Sequence, residues 1–253
     1  MDNIVLEVKN ITKDYGDFKL DNVSFSVPRG TVCGFIGQNG AGKTTTIQLI
    51  LDAITRDSGE IILFGQEVIP GRSHTLREDI GVVFDEMGFH EFLTPAQLDE
   101  IMKRIYKNWN SETYFGYLKR FSLPSKKRCG NFSRGMRMKL QIAVALSHGA
   151  RFLIMDEPTS GLDPISREEL LDIFKALRDA GVSIFFSTHI TSDLDKCADG
   201  ITYIKGGRIL ASEPMAQYVA RCKADGIGGN LEEIMLHYEK KEFSFGAGDG
   251  KED

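Results

Sequence analysis

Nowhere in the 253 residues does an apolar run approach the roughly 18 residues that a membrane-spanning helix needs. The opening stretch, MDNIVLEVKN, has neither the basic block nor the apolar block of a secretory leader. We therefore expect a chain that neither crosses a membrane nor is secreted. Cysteine is sparse: Cys33, Cys129, Cys197 and Cys222 stand far apart, without a C-x-x-C pair or a neighbouring histidine cluster. That argues against a zinc knuckle and a disulfide framework and suits reduced cytosolic thiols. A basic excess is missing too, since 31 Lys plus Arg face 36 Asp plus Glu for a net charge of −5. With no general means of holding a phosphate backbone, the expected partners include no nucleic acid. There is no internal repeat and no low-complexity linker. At 42% hydrophobic and 26% charged residues, the balance is that of an ordinary globular domain, alone or with an insertion.

What the chain has in number is glycine, 26 residues of it, and the positions matter because glycine serves where no β-carbon fits. Val23 to Val27 alternates apolar and polar up to Pro28, and Val32 to Ile36 is a short continuous apolar run closed by Gly37. Both read as strands, the second buried on two faces. A glycine-punctuated loop follows, then a breaker-free helix from Thr44 to Leu51. Further strands are expected at Ile61 to Phe64, Ile80 to Phe84, Phe152 to Met155 and Val182 to Phe186, with a helix from Arg167 to Ala180 linking the last two. Alternation of strands and helices implies a mostly parallel sheet covered on both faces. Between Glu86 and Ala150 the texture becomes all helical. Thr94-Pro95-Ala96-Gln97 reads as a capped helix start, and Met136, Leu140, Ala143 and Val144 mark an apolar helix face. Tyr114, Phe115, Tyr117 and Phe121 read as a core-facing aromatic stripe. Gly206-Gly207 centres a tight hairpin, Asn230 and Glu233 start a short helix as in a capping box, and the stretch from Phe243 is expected to be disordered.

Five segments carry chemistry. Gly37-Gln38-Asn39-Gly40-Ala41-Gly42-Lys43-Thr44 matches G-x-x-x-x-G-K-[ST] between an expected strand and an expected helix. Glycines let successive backbone N–H groups face phosphate oxygens, and the helix N-terminus adds partial positive charge. Lys43 would neutralise the β and γ phosphates and the Thr44 hydroxyl would ligate Mg²⁺, with Thr45 next to it in the same turn. Phe152 to Met155 ends in Asp156 and Glu157, at the sheet edge where ligands of open α/β folds bind. Asp156 suits Mg²⁺, and Glu157 suits the deprotonation of an attacking water. Ser133 stands at the N-cap of the Met136 helix, Ser160-Gly161-Leu162-Asp163 follows the two acids, and His189 follows a strand.

In this order and spacing the segments resemble the ATP-binding subunits of the ATP-binding cassette (ABC) family, over residues 1 to 220. The matches are Walker A (GQNGAGKT), the signature (FSRGM), Walker B (FLIMDE), the D-loop (SGLD) and the switch histidine, His189. The resemblance implies an α/β P-loop NTPase fold with a RecA-like core in 1–85 and 151–220, including an N-terminal antiparallel β-subdomain. It implies an inserted α-helical signature subdomain in 86–150, then a C-terminal helix in 221–242 and the tail 243–253. It also implies ATP hydrolysis with Mg²⁺ by a head-to-tail dimer, a homodimer or a pair of paralogues, attached to separate transmembrane permease subunits at the inner face of the membrane. Ser133 and Gly135 would then serve the partner's γ-phosphate, Asp163 of the D-loop would join the nucleotide-binding residues, and Tyr15 would stack on adenine. The segment Met87 to Pro95 falls where such subunits dock their membrane partner, though interior packing would explain it equally well.

Two departures from the family pattern stand out. Phe132, Arg134 and Met136 replace three of the five residues of Leu-Ser-Gly-Gly-Gln, and Asp85, or Glu86 in the neighbouring register, stands where a glutamine would sense Mg²⁺. Both resemble exporters of drugs and antimicrobial peptides from Gram-positive bacteria. A soluble cassette ATPase acting on ribosomes or DNA is the alternative, disfavoured by the single cassette, the missing heptads and the acidic charge.

Overall fold

The computed structural model of the protein describes residues 3–84 and 88–240. Among these residues ten strands and nine α-helices follow one another along the chain. β1 (Ile4–Asp14), β2 (Lys19–Pro28) and β3 (Val32–Ile36) lead into α1 (Lys43–Ile50). β4 (Ser58–Leu63), β5 (Gln66–Glu67), α2 (His74–Arg77) and β6 (Ile80–Val83) come next. Three helices, α3 (Pro95–Ile105), α4 (Ser111–Arg120) and α5 (Arg134–Ser147), precede the return to the sheet. The remainder is β7 (Phe152–Met155), α6 (Pro164–Asp179), β8 (Ser183–Thr188), α7 (Thr191–Cys197), β9 (Gly200–Lys205), β10 (Arg208–Pro214), α8 (Met215–Ala224) and α9 (Leu231–Lys240). No helix among the described residues is long and apolar enough to cross a membrane.

The strands form two sheets among the described residues. One has the order β10-β9-β3-β8-β7-β6, parallel except for the β9–β10 hairpin, and the other is an antiparallel sheet ordered β2-β1-β4-β5. Because the parallel strands are covered on both faces, alternate residues feed two cores. Val32, Ile36, Leu153, Met155, Ile184 and Phe186 join the core beneath the helices. Cys33, Phe35, Phe152, Ile154 and Phe185 join the core shared with the antiparallel sheet. There Phe25, Phe35 and Phe185 stack with centroids 5.2–5.6 Å apart, bonding the two sheets by aromatic packing.

The strand expected at Ile61 to Phe64 lies in the antiparallel sheet as β4, not in the parallel one. Phe64 lies beyond its end because Phe64 and Gly65 both take left-handed backbone angles (φ 53° and 82°) and turn the chain into β5. α6 begins three residues before the expected Arg167, since Asp163 caps it and Pro164 occupies its first position. The aromatic stripe of α4 holds for Tyr114 and Phe121, which are buried, but Phe115 is 41% exposed. Adjacent helix positions differ by about 100°, so Tyr114 and Phe115 cannot share a face. The short helix expected from Asn230 within 221–242 is α9, and an unexpected one, α8, precedes it and ends before Gly226 at φ 70°. Asn230 caps α9 by accepting from the Glu233 N–H, while the Glu233 carboxylate reaches back to the N–H of Gly229. The expected tail from Phe243 lies outside the described residues.

Candidate functional site

The carboxyl ends of β3, β7 and β8 lie side by side, paired at Ile36–Thr188 and Met155–Phe186, so the segments following them meet at one edge of the sheet. After β3 comes the glycine loop. A β-carbon on Gly37 would lie 2.4 Å from the carbonyl oxygen of Ile204, so only glycine allows the loop to leave the strand there. Gln38, Asn39 and Gly40 are exposed at the crest, Ala41 is buried, and Gly42 caps α1 at φ 109°, an angle that strains any other residue. The hairpin turn between β9 and β10 props the loop from below, through a bond from the Gly207 N–H to the Ala41 carbonyl (3.1 Å).

Lys43 opens α1 and is buried. Its Nζ donates to the carbonyls of Gly37 (2.7 Å) and Gln38 (3.2 Å) and stands 3.2 Å from Oε1 of Glu157. Thr44 is exposed, and its hydroxyl donates to Oδ2 of Asp156 at 2.8 Å; Thr45 follows half-buried. Oδ1 of Asp156 accepts from the Ser187 hydroxyl, and the Ser187 oxygen accepts from the backbone N–H of Glu157 (2.9 Å). Glu157 has φ 49°, a left-handed angle that costs a residue with a side chain of order 1–3 kcal/mol and persists only where the surroundings impose it. The turn sends its carboxylate away from Asp156, so that Oε2 meets Nδ1 of the half-exposed His189 at 2.9 Å.

The hydroxyl of Thr44 and a carboxylate oxygen of Asp156 therefore converge at a helix N-terminus. They are hard oxygen donors of the kind Mg²⁺ takes. Among the described residues no three acids, cysteines or histidines gather as a metal cage. Asp85 and Glu86 lie outside the described residues. The strand end before them is held by Gln141 of α5, which donates to the Phe84 carbonyl (3.0 Å) and accepts from the Phe84 N–H (3.3 Å).

Beside the glycine loop opens a cleft of about 580 Å³, within the size range of small-ligand sites. Phe18, Lys19, Gln38, Asn39, Lys205 and Arg208 are among the residues facing it. Phe18 is the aromatic ring that lines it. Tyr15 stands at the turn nearby, 53% exposed, with the Lys13 ammonium 5.6 Å from its ring centroid.

Ser133 and Gly135 lie at the start of α5. The Ser133 hydroxyl accepts from the Met136 N–H at 3.3 Å, and a β-carbon on Gly135 would lie 2.9 Å from that of Ser166 on α6. The side chain of Arg134 crosses Gly161, tying the signature turn to the D-loop. Asp163 is exposed and caps α6, accepting from the N–H groups of Ile165 and Ser166. The Ser166 hydroxyl and those N–H groups hold its carboxyl below the usual aspartate value. Sequence reasoning missed Ser187, Phe18 and Gln141. A signal existed for Ser187, a serine inside the apolar run of β8, two residues before His189. The other two had none, since their roles arise from tertiary neighbours.

A family model described as ABC transporter matches residues 20–160, and one described as AAA domain, putative AbiEii toxin, Type IV TA system matches residues 128–194. The Bacitracin transport ATP-binding protein BcrA of Bacillus licheniformis is 36% identical over 214 residues, 83% of this chain and 70% of that protein. The Lantibiotic transport ATP-binding protein SrtF of Streptococcus pyogenes is 33% identical over 243 residues, 94% of this chain and 100% of that protein. A solved structure of an ATP-binding subunit of an ABC transporter superposes with TM-score 0.81 at 27% identity, covering 93% of this chain and 99% of that one.

Proposed function

The chain belongs to the ABC transporter family as an ATP-binding and ATP-hydrolysing subunit, and from that premise we propose that it powers export of a peptide antibiotic or similar amphipathic substrate. Subunits of this family work as dimers with separate transmembrane subunits. Relatives named for bacitracin and lantibiotic transport support the substrate class. In this reading the subunit sits on the inner face of the membrane, beneath permease subunits that contact the substrate.

The observation that carries the chemistry is the double engagement of Glu157, one oxygen 3.2 Å from Lys43 and the other 2.9 Å from His189. ATP phosphates seat on the backbone N–H groups from Gly40 to Thr45, at the positive end of α1. Lys43 turns from the loop carbonyls to the phosphate oxygens, which outcompete neutral acceptors because they are charged. Its departure leaves a Glu157 carboxylate aimed by His189 and free to take a proton from water attacking the γ-phosphate. His189 fixes which oxygen faces that water. Thr44, Asp156 and Asp85 are the residues to hold Mg²⁺, which when bound offsets the charge that develops on the phosphates. Ser133 and Gly135 of a second copy close the site from the other side, with the N-terminus of α5 facing the γ-phosphate. Phe18 and Tyr15 are the aromatic candidates for the adenine.

Replacing Glu157 by Gln removes the base and keeps the shape. We expect ATP hydrolysis to fall at least about a hundredfold with ATP binding retained. Hydrolysis at the wild-type rate would show that Glu157 is not the base.

A further inference from the structure

Four residues beyond His189, on the first turn of α7, Asp193 is fully buried. Its Oδ2 accepts from the Thr159 hydroxyl at 2.5 Å, and its Oδ1 accepts from Nε of Arg167 at 2.5 Å. The same guanidinium donates to the Ser192 hydroxyl at 3.0 Å. A buried ion pair is weak evidence for stability, because desolvation offsets most of the attraction. The arrangement calls for another reason.

The reason lies in what the three segments carry. Thr159 is buried two residues after Glu157, inside the turn that the left-handed Glu157 begins and that the Ser160 N–H closes onto the Glu157 carbonyl (3.2 Å). Arg167 follows Asp163 by one helical turn, its N–H bonded to the Asp163 carbonyl. Asp193 itself follows His189. One carboxylate therefore joins the base segment, the D-loop helix and the switch-histidine segment. The helix bearing it is pinned to the strand that enters the phosphate loop. A β-carbon on Gly34 of β3 would lie 2.0 Å from Cδ2 of Leu194, so α7 rests directly on that backbone. Glu157 is held on its amino side by Ser187, and the Asp193–Thr159 bond is the matching hold on its carboxyl side.

We propose that Asp193, acting through Thr159 and Arg167, is a positioning residue for hydrolysis, which keeps the strained Glu157 backbone and His189 in register. The inference rests on Glu157 being the base. Thr159→Val keeps the shape and deletes the donor, and Thr159→Ser keeps the hydroxyl. Each is assayed well below its own melting midpoint. We expect Thr159→Val to lower kcat about ten- to hundredfold, the range that small misplacements of a reacting group produce. KM for ATP should stay within about twofold of wild type, because the phosphate loop is untouched. Thr159→Ser should restore kcat, and Asp193→Asn, which weakens the Arg167 arm, should lower kcat with KM unchanged. A wild-type kcat in Thr159→Val, a parallel decline of kcat and affinity, or a Thr159→Ser as impaired as Thr159→Val would each overturn the proposal. If Glu157→Gln is inactive while Thr159→Val is normal, only the clamp fails; if Glu157→Gln is active, the base assignment fails first.

Discussion

The phosphate loop and the signature turn are the same device, a glycine-bearing bend delivered into a helix N-terminus, but they are finished to different degrees. At the first, Lys43, Thr44, Asp156, Glu157 and His189 all engage one another or the loop at 2.7–3.2 Å. At the second, the exposed Ser133 makes one long capping bond of 3.3 Å. Groups already gathered at one edge cost little to position when charge develops, even though Lys43 must exchange its carbonyl partners for phosphate oxygens. The signature turn has the N-terminal dipole and the hydroxyl but no acid, base or metal ligand of its own. In the dimer proposed above, its chemistry would be borrowed from the Walker edge of a second subunit.

The glycines of the two turns give the sharpest contrast. Gly37→Ala drives a β-carbon to 2.4 Å from a backbone carbonyl that the core holds in place, whereas Gly135→Ala meets the Ser166 side chain at 2.9 Å. We expect Gly37→Ala to destabilise the fold by about 3 kcal/mol and Gly135→Ala by about 1 kcal/mol, because only the second neighbour can rotate aside. ATP affinity of the isolated subunit should fall by at least about two orders of magnitude in the first and barely change in the second, since only the first displaces the phosphate donors of its own loop. Thermal melts with nucleotide titration measure both. Equal losses of affinity would break the contrast.

How far each region can be read from sequence follows the same division. The phosphate loop, Asp156, Glu157 and the four core strands β3, β6, β7 and β8 are legible because glycine spacing and continuous apolar runs record backbone geometry directly. β1 escapes notice because Asn10 takes φ 50° and the pairing slips between Val8 and Ile11, which breaks the period-two pattern. Phe64 and Phe115 mislead in opposite ways, one ending a strand that looks longer and the other facing outward from a stripe that looks buried. Ser187, Gln141 and Asp193 act through neighbours 26 or more residues away in the chain, and no local pattern records such contacts.

Borrowing between copies can be tested by mixing. Ser133→Ala and Glu157→Gln should each be nearly inactive alone. In a head-to-tail pair one composite site of the mixed dimer then has both Ser133 and Glu157 intact. Mixing equal amounts should restore about a quarter of wild-type hydrolysis, from half of the dimers having one good site of two. No recovery, in mixtures shown to exchange subunits, would mean that Ser133 serves its own chain.

The smallest effect belongs to Asp163, which stands between the regions, capping α6 one turn from the Ser166 that abuts Gly135. The Ser166 hydroxyl and the N–H groups of Ile165 and Ser166 favour its ionised form, so its folded value lies below the ordinary 3.8. A group lowered in this way adds stability above pH 3.8 and loses it as pH falls from there through the folded value. Asp163→Asn keeps an acceptor for both N–H groups but cannot titrate, so its melting midpoint should decline less steeply over that acid range. At neutral pH the two proteins should differ by under about 3 °C, because an exposed cap works through water. An unchanged acid slope would mean that the α6 cap owes nothing to charge. Asp163 would then contribute only its hydrogen-bond geometry, as Ser133 does at the other helix.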